Sequence, residues 1–120
     1  PGPLSFALPA RPELDPRLVH DGGVAVRLPG ECPAAALVRA FGKPLTATSA
    51  NPSGHPPTPL GVLVRGAFPE AVADGRLLVL DAVAPGGLPS TVVVVRGDRV
   101  EIVREGAIVR AEVERVAHPR

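Results

Sequence analysis

The 120-residue chain contains one cysteine, Cys32, and lacks methionine, tryptophan and tyrosine. A single cysteine can form neither an internal disulfide nor a cysteine-rich zinc site, which fits a reducing compartment. Three phenylalanines are the only large rings, so the core must be built from valine, leucine, alanine and isoleucine. This composition predicts one small globular domain at most.

The chain also has no excess of charge and no long apolar run. Its 13 basic and 12 acidic residues give a formal net charge of +1, so any anion site has to be local. No stretch approaches the roughly 20 apolar residues of a spanning helix, and no charged-then-apolar leader opens the chain. We expect a cytoplasmic protein with no membrane contact. Because the chain starts at Pro1 and contains no methionine, we also expect it to be a fragment.

Short β-prone runs alternate with helical patterns along the chain. The predicted strands cover residues 4–8, 24–28, 45–48, 77–80, 91–95 and 100–103. The unbroken branched run 92–95 suggests a strand covered on both faces, and Gly97 with Asp98 predicts a hairpin turn.

Three segments have helical patterns. Pro33 begins the first, which Gly42 closes; Thr58 and Pro59 begin the second, which runs to about residue 68; valines 109, 113 and 116 share one face of the third. Strands and helices together predict an α/β fold of the α+β kind, with a twisted mixed sheet and flanking helices.

The stretch "FGKPLTATSANPSGHPPT" places small polar groups between a strand-like run and a helix. Ser49 and Ser53 can each donate one hydrogen bond, and Asn51 can donate and accept. Such a loop before a helix N-terminus can surround an anion. An ordinary Asx turn that satisfies its own backbone is the alternative interpretation, and it is the more common one.

Two further segments could meet a ligand. "APGGLPSTVVVV" places Gly86, Gly87, Ser90 and Thr91 just ahead of the most apolar strand, although a plain loop before a strand is the more common explanation. Arg27 in "VAVRLP" must either face solvent or meet a carboxylate or phosphate, and Arg104 in "IVREG" has a similar setting at a strand end.

Familiar catalytic motifs are missing from the sequence. There is no GxxxxGK[ST], GxGxxG, HExxH or metal-spaced cysteine pair. The histidines His20, His55 and His118 are scattered, and His55 near Ser49 reads better as an exposed side chain than as a base beside a nucleophile.

Taken in order, "PGPLSFALPA", "VAVRLP", "FGKPLTATSANPSGHPPT", "APGGLPSTVV" and "IVREGAI" resemble the C-terminal portion of the YrdC family, the threonylcarbamoyl-AMP synthases of tRNA modification. The resemblance covers nearly all of residues 1–120 and implies an incomplete YrdC-like fold in one domain.

The resemblance implies a nucleotidyltransferase with ATP, L-threonine and bicarbonate as substrates. N-carboxylated threonine would attack the α-phosphate of ATP and release pyrophosphate. The resulting threonylcarbamoyl-AMP would pass to a tRNA threonylcarbamoyl-transferase complex that modifies adenosine 37 of tRNA. Mg²⁺ is expected with the ATP, and no ligand for it is apparent in this sequence.

The resemblance also implies roles for individual residues. Ser49 and Asn51 would contact the ATP phosphates, with Pro57 and Arg104 near the nucleotide. Arg27 would bind the carboxylate of threonine, and Ala47 and Ser90 would also contact the amino acid. No catalytic acid, base or nucleophile is implied, which agrees with a reaction that depends on positioning and electrostatics.

The family's upstream Lys-x-Arg motif has no counterpart here, so we expect these 120 residues alone to be inactive or to bind ligand weakly. Two other functions stay open. One is a non-catalytic YrdC-like module that binds tRNA or double-stranded RNA, which the near-neutral charge disfavours. The other is the carbamoyl-adenylate domain of a hydrogenase-maturation carbamoyltransferase.

Overall fold

The computed structural model of the protein describes residues 1–84 and 86–117. His118, one of the three histidines noted in the sequence, lies outside the described residues. Two compact units are present: Pro1–Pro44 with Gly87–Arg120, called the sheet unit below, and Leu45–Gly86, called the loop unit. The strands are β1 (Leu4–Pro9), β2 (Gly23–Arg27), β3 (Thr91–Arg96) and β4 (Arg99–Arg104). The helices are α1 (Pro33–Phe41), α2 (Gly61–Ala67), α3 (Pro69–Ala73) and α4 (Arg110–Ala117), with a short 3₁₀ helix at Pro16–Leu18.

The sheet unit is built on one four-stranded sheet in the order β2-β1-β3-β4. β1 runs parallel to β3, whereas the β1–β2 and β3–β4 pairs are antiparallel. The mixed sheet predicted from the sequence is therefore confirmed, and four of the six predicted strands form it.

The predicted hairpin at Gly97 and Asp98 joins β3 to β4. Arg96 pairs with Arg99, and Gly97 has a φ of 60°, a left-handed conformation that suits glycine. Gly42 likewise closes α1 in the left-handed region, and its N–H donates to the Val38 carbonyl. Both turns lie where glycine in the sequence predicts them.

The core of the sheet unit lies on one face of β3. Thr91 and Val93 are 0% and 1% exposed, whereas Val92 and Val94 on the opposite face are half-buried. Val113 and Val116 of α4 line the same apolar space as Val93, as the predicted apolar face requires, whereas Val109, the third valine of that face, precedes the helix and is exposed. The prediction that both faces of 92–95 are covered is confirmed fully for the face of Val93 and only in part for the face of Val92 and Val94.

The loop unit departs most from the predictions. Residues 45–48 and 77–80 are not strands, since neither run has a neighbouring ladder within the described residues of this unit, where the isolated bridge Leu60–Val83 is the sole β pairing. The second helix begins at Gly61 rather than Pro59 because Leu60 is extended (φ −99°, ψ 117°). The Thr58 hydroxyl accepts the Leu60 N–H at 3.2 Å and so closes a turn ahead of the helix.

Within the described part of the chain, no helix combines the length and the apolar character that crossing a bilayer requires.

Candidate functional site

Four residues form a continuous row across one end of the sheet. Arg27 on β2 pairs with Ser5 on β1, Ser5 pairs with Val92 on β3, and Val92 pairs with Arg104 on β4. Directly paired residues project from the same face of a sheet, so both arginines share the face that carries Ser5. Three strand spacings separate the outer strands, which places their backbones about 14 Å apart.

Between the arginines, two serine hydroxyls meet. Ser5 Oγ and Ser90 Oγ are 3.0 Å apart and partly buried, although the residues are 85 positions apart in sequence. Ser90 immediately precedes β3, so the parallel β1–β3 pairing brings the two side chains together. A hydroxyl both donates and accepts, so this pair can also bond a polar ligand.

Arg104 is held against Ser90. Its Nε and Nη2 donate to the Ser90 carbonyl at 3.2 and 2.8 Å, and Nη2 lies 3.4 Å from Ser90 Oγ. The side chain is exposed, so its charge is accessible to a ligand above the sheet.

Arg27 is anchored in a similar way at the other end of the row. Its Nε donates to the Gly2 carbonyl at 2.9 Å, and the Gly2 N–H donates to the Leu28 carbonyl at 2.9 Å. The two terminal nitrogens of Arg27 make no hydrogen bond to any described residue. Such a fork, fixed at its stem and open at its tip, suits a carboxylate or a phosphate.

In the loop unit, the amide of Asn51 is directed at its own loop. Nδ2 donates to the Pro52 carbonyl at 3.1 Å and to the His55 carbonyl at 2.7 Å. The Pro52 carbonyl also accepts the His55 N–H at 3.0 Å, across a turn in which Gly54 has a φ of 81°. Both amide hydrogens of Asn51 are used, and Oδ1 is buried without a partner among the described residues. The amide hydrogens thus satisfy carbonyls of their own loop, as the alternative interpretation has it, but Oδ1 does not accept the backbone N–H that an Asx turn would supply.

The other predicted residues of the loop unit lie around this turn. Ala47, Ser49 and Pro57 are exposed, and the Ser49 hydroxyl makes no hydrogen bond within the described chain. Their contacts with ATP or threonine remain predictions. His55 is also exposed, as its sequence context suggests.

The predicted site residues thus fall into two sets, one in each unit. The structure brings Arg27 and Arg104 into one row with Ser5. Ser90, just before β3, contacts Ser5 through its hydroxyl and Arg104 through its carbonyl. Sequence reasoning missed Ser5, which completes that row, because its only signal is a register that pairs strands far apart in the chain. It placed Thr91 in a segment that could meet a ligand but assigned it no contact.

Neither set offers a magnesium site. The described residues contain no group of three histidine, cysteine, aspartate or glutamate side chains able to hold a metal ion. The row on the sheet contains two cations and no carboxylate, so the residues present do not fit Mg²⁺, and we assign it no ligand.

Two carboxyl groups outside these sets have shifted pKa values. Hydrogen bonds from the Arg17 side chain, and then from its backbone, lower the pKa of Asp15 below its ordinary value of 3.8. The side chain and backbone of Arg76 lower the pKa of Asp74 in the same way. Each shift arises from an exposed Asp-x-Arg pair and involves none of the residues in the row on the sheet.

Comparison with known proteins gives a single family. The Sua5–YciO–YrdC family model, described as "Telomere recombination", matches residues 1–106. A solved structure of a doubly substituted P. abyssi Sua5 matches with a TM-score of 0.80 and 28% identity, covering 97% of this chain and 35% of that one. The chain belongs to the Sua5–YciO–YrdC family and has its α/β fold.

Curated relatives carry a common name. The Threonylcarbamoyl-AMP synthase of Thiobacillus denitrificans is 43% identical over 82 residues, covering 64% of this chain and 43% of the relative. The Threonylcarbamoyl-AMP synthase of Bacillus subtilis is 37% identical over 127 aligned positions, covering 99% of this chain and 34% of the relative. The chain therefore spans between a third and a half of the length of these relatives.

Proposed function

We propose that this chain is the C-terminal portion of a threonylcarbamoyl-AMP synthase. The observation that carries the proposal is the row on the sheet, in which Arg27 and Arg104 flank the hydroxyls of Ser5 and Ser90. Two anchored cations with paired hydroxyls between them match an amino acid carboxylate at one end and a nucleotide phosphate at the other. The names of the relatives favour the same activity.

In the proposed reaction, the threonine nitrogen first attacks the carbon of bicarbonate, and a C–O bond breaks so that water leaves with a proton from the amine. The new carboxylate then attacks the α-phosphorus of ATP, the bond to the bridging oxygen breaks, and pyrophosphate leaves with that electron pair. The product is threonylcarbamoyl-AMP, which a tRNA threonylcarbamoyl-transferase complex would consume.

The chain's own residues position and stabilise the reactants. Arg27 binds the threonine carboxylate through its terminal nitrogens, and Ser90 orients the amino acid through its hydroxyl. In the sheet unit, Arg104 approaches the nucleotide. For the loop unit, the family resemblance assigns Ser49 to the ATP phosphates, Pro57 to the nucleotide and Ala47 to threonine. Fixed donors of this kind accelerate a reaction because they need not reorganise as charge moves.

Asn51 has a different proposed role from the one that the family resemblance implies. Its amide hydrogens are donated to Pro52 and His55, so in this conformation it shapes the loop rather than donating to a phosphate. Ser49, whose hydroxyl has no partner among the described residues, is then the phosphate donor of the pair.

The test is pyrophosphate release by the complete protein that contains this chain. We expect release to require ATP, bicarbonate and threonine together, and the adenylate to be detected by mass spectrometry. Release that is independent of threonine would favour a different carbamoyl acceptor, and an absence of release would contradict the proposal. A second test is isothermal titration of residues 1–120 alone with ATP and threonine, for which we expect weak binding or none. Tight, threonine-dependent binding of ATP would refute that expectation.

A further inference from the structure

Thr91, the first residue of β3, has no exposed surface and makes three hydrogen bonds through one hydroxyl. Oγ1 donates to the Ile108 carbonyl at 2.6 Å and accepts the N–H groups of Gly106 at 2.9 Å and Ile108 at 3.1 Å. Every one of these partners lies in the segment that follows β4. The hydroxyl therefore fixes the backbone just beyond Arg104.

The same segment approaches the residues before β3 so closely that only glycine fits at position 106. A Cβ at Gly106 would overlap the Pro89 carbonyl oxygen and lie 2.8 Å from the Ser90 carbonyl carbon. The Ala107 N–H donates to the Pro89 carbonyl at 2.9 Å. Residues 106–108 are thus joined to residues 89–91 both by the Thr91 hydroxyl and by the backbone bond from Ala107 to Pro89.

On its other side, Arg104 is fixed by a β-bulge. Val92 pairs with Arg104, while the next residue, Val93, pairs with Ile102, which leaves Val103 as the extra residue. In an uninterrupted ladder Val103 would face Val92 and occupy the place of the arginine in the row. The bulge therefore directs the Arg104 side chain to the face that carries Ser5, as bulges beside functional sites commonly do.

We propose that Thr91 is a positioning residue that holds the Arg104 guanidinium against Ser90. The backbone of Arg104 lies between the bulge at Val103 and the hydrogen bonds of the Thr91 hydroxyl, so loss of those bonds frees one side of it. The inference rests on the proposed function in one respect, which is that Arg104 meets the nucleotide.

The first experiment compares Thr91→Val with Thr91→Ser in the complete protein. Valine keeps the shape and removes the hydroxyl, whereas serine keeps it. We expect Thr91→Val to raise the KM for ATP about tenfold with little change in the KM for threonine, and Thr91→Ser to restore most of the affinity. If Thr91→Val does not fold, Thr91→Ala, which leaves room for a water, is measured in the same way.

A double-mutant cycle with Arg104→Ala separates positioning from a general loss of structure. If Thr91 acts through Arg104, adding Thr91→Val to Arg104→Ala should change the KM for ATP by less than about twofold. Multiplied losses in the double variant would overturn the inference.

A readout without activity keeps the two proposals distinguishable. The Arg104 Nε–H should give an ordered NMR signal in the unsubstituted protein, lose it in Thr91→Val and keep it in Thr91→Ser. If the unsubstituted protein released no pyrophosphate, the proposed function would fail, and this signal would still decide the role of Thr91. An unchanged Arg104 signal in Thr91→Val would overturn the inference.

Discussion

The polar groups of the two units are held in opposite ways. In the sheet unit, Ser5 meets Ser90 across 85 positions of sequence, and Arg27 meets Gly2 across 25. In the loop unit, Asn51 meets Pro52 and His55, at one and four positions away. The first set is assembled by strand pairing and points its cations outward, whereas the second is assembled by a turn and directs its amide inward.

The difference shows that the setting of a polar side chain, on a strand or in a short loop, decides which groups it can bond. A polar residue in a short loop first satisfies the backbone beside it, because an unpaired buried group costs about 1 to 3 kcal/mol. A polar residue on a strand cannot bond its own ladder through its side chain, so it remains available to a neighbour or a ligand. We therefore expect substitutions in the row to affect binding and substitutions in the turn to affect loop structure.

The largest expected effect is on activity, through Arg27. Arg27→Ala in the complete protein should lower the rate of pyrophosphate release on the order of 100-fold, because the fork for the threonine carboxylate is lost. Arg27→Lys should recover little, since lysine keeps the charge without the fork. Arg99→Ala, another exposed arginine at the far end of β4, is the matched control and should retain full activity. Equal rates of pyrophosphate release in Arg27→Ala and Arg99→Ala would contradict a specific role for Arg27 in binding threonine.

The next effect is on stability, through Gly106. Gly106→Ala should lower the free energy of unfolding by about 2 kcal/mol, because its Cβ would overlap backbone that cannot move independently. Gly66→Ala is the control: no atom lies within 4 Å of its Cβ, and alanine inside α2 should raise stability by about 1 kcal/mol. Chemical denaturation measures both, and a loss at Gly66 equal to that at Gly106 would contradict the close approach seen in the sheet unit.

A smaller effect is expected for Asn51. Asn51→Ala should cost about 1 kcal/mol, since the carbonyls of Pro52 and His55 lose their amide donor. Ser53→Ala, in the same turn but with an exposed side chain, should be neutral. Amide hydrogen exchange of His55 would report the loosening directly. If Asn51→Ala abolished nucleotide binding while exchange of His55 stayed slow, Asn51 would be a phosphate contact rather than a loop-shaping residue.

The smallest effect is on acid stability and should be alike in both units. Asp15 and Asp74 have pKa values lowered by their arginines, so each pair stabilises the folded state above about pH 3.8 and loses that contribution as pH falls through the lowered pKa. Asp15→Asn and Asp74→Asn should each slightly flatten the acid limb of a stability-pH profile. A clearly larger change in one unit would show that these local pairs are not equivalent.

Local sequence signals correctly predicted the helix ends and turns whose geometry depends on neighbouring residues alone. As expected, α1 begins at Pro33 and is closed by Gly42, and Gly97 forms the hairpin turn. The fixed φ of proline and the left-handed conformation of glycine act on neighbouring residues alone. The runs 45–48 and 77–80 failed as strands although their composition resembles that of β1. Composition favours an extended chain, but a strand forms only where a partner supplies its hydrogen bonds.

Local sequence was sufficient for the four strands of the sheet, for the turns that glycine and proline impose, and for the family resemblance. Only the tertiary structure decided which residues share a face. The pairing of β1 with β3 brought Ser5 to Ser90, and the bulge at Val103 placed Arg104 in their row. The reason is physical: a turn is fixed by the dihedral preferences of adjacent residues, whereas a register is fixed by the packing and hydrogen bonds of strands that lie far apart in the chain.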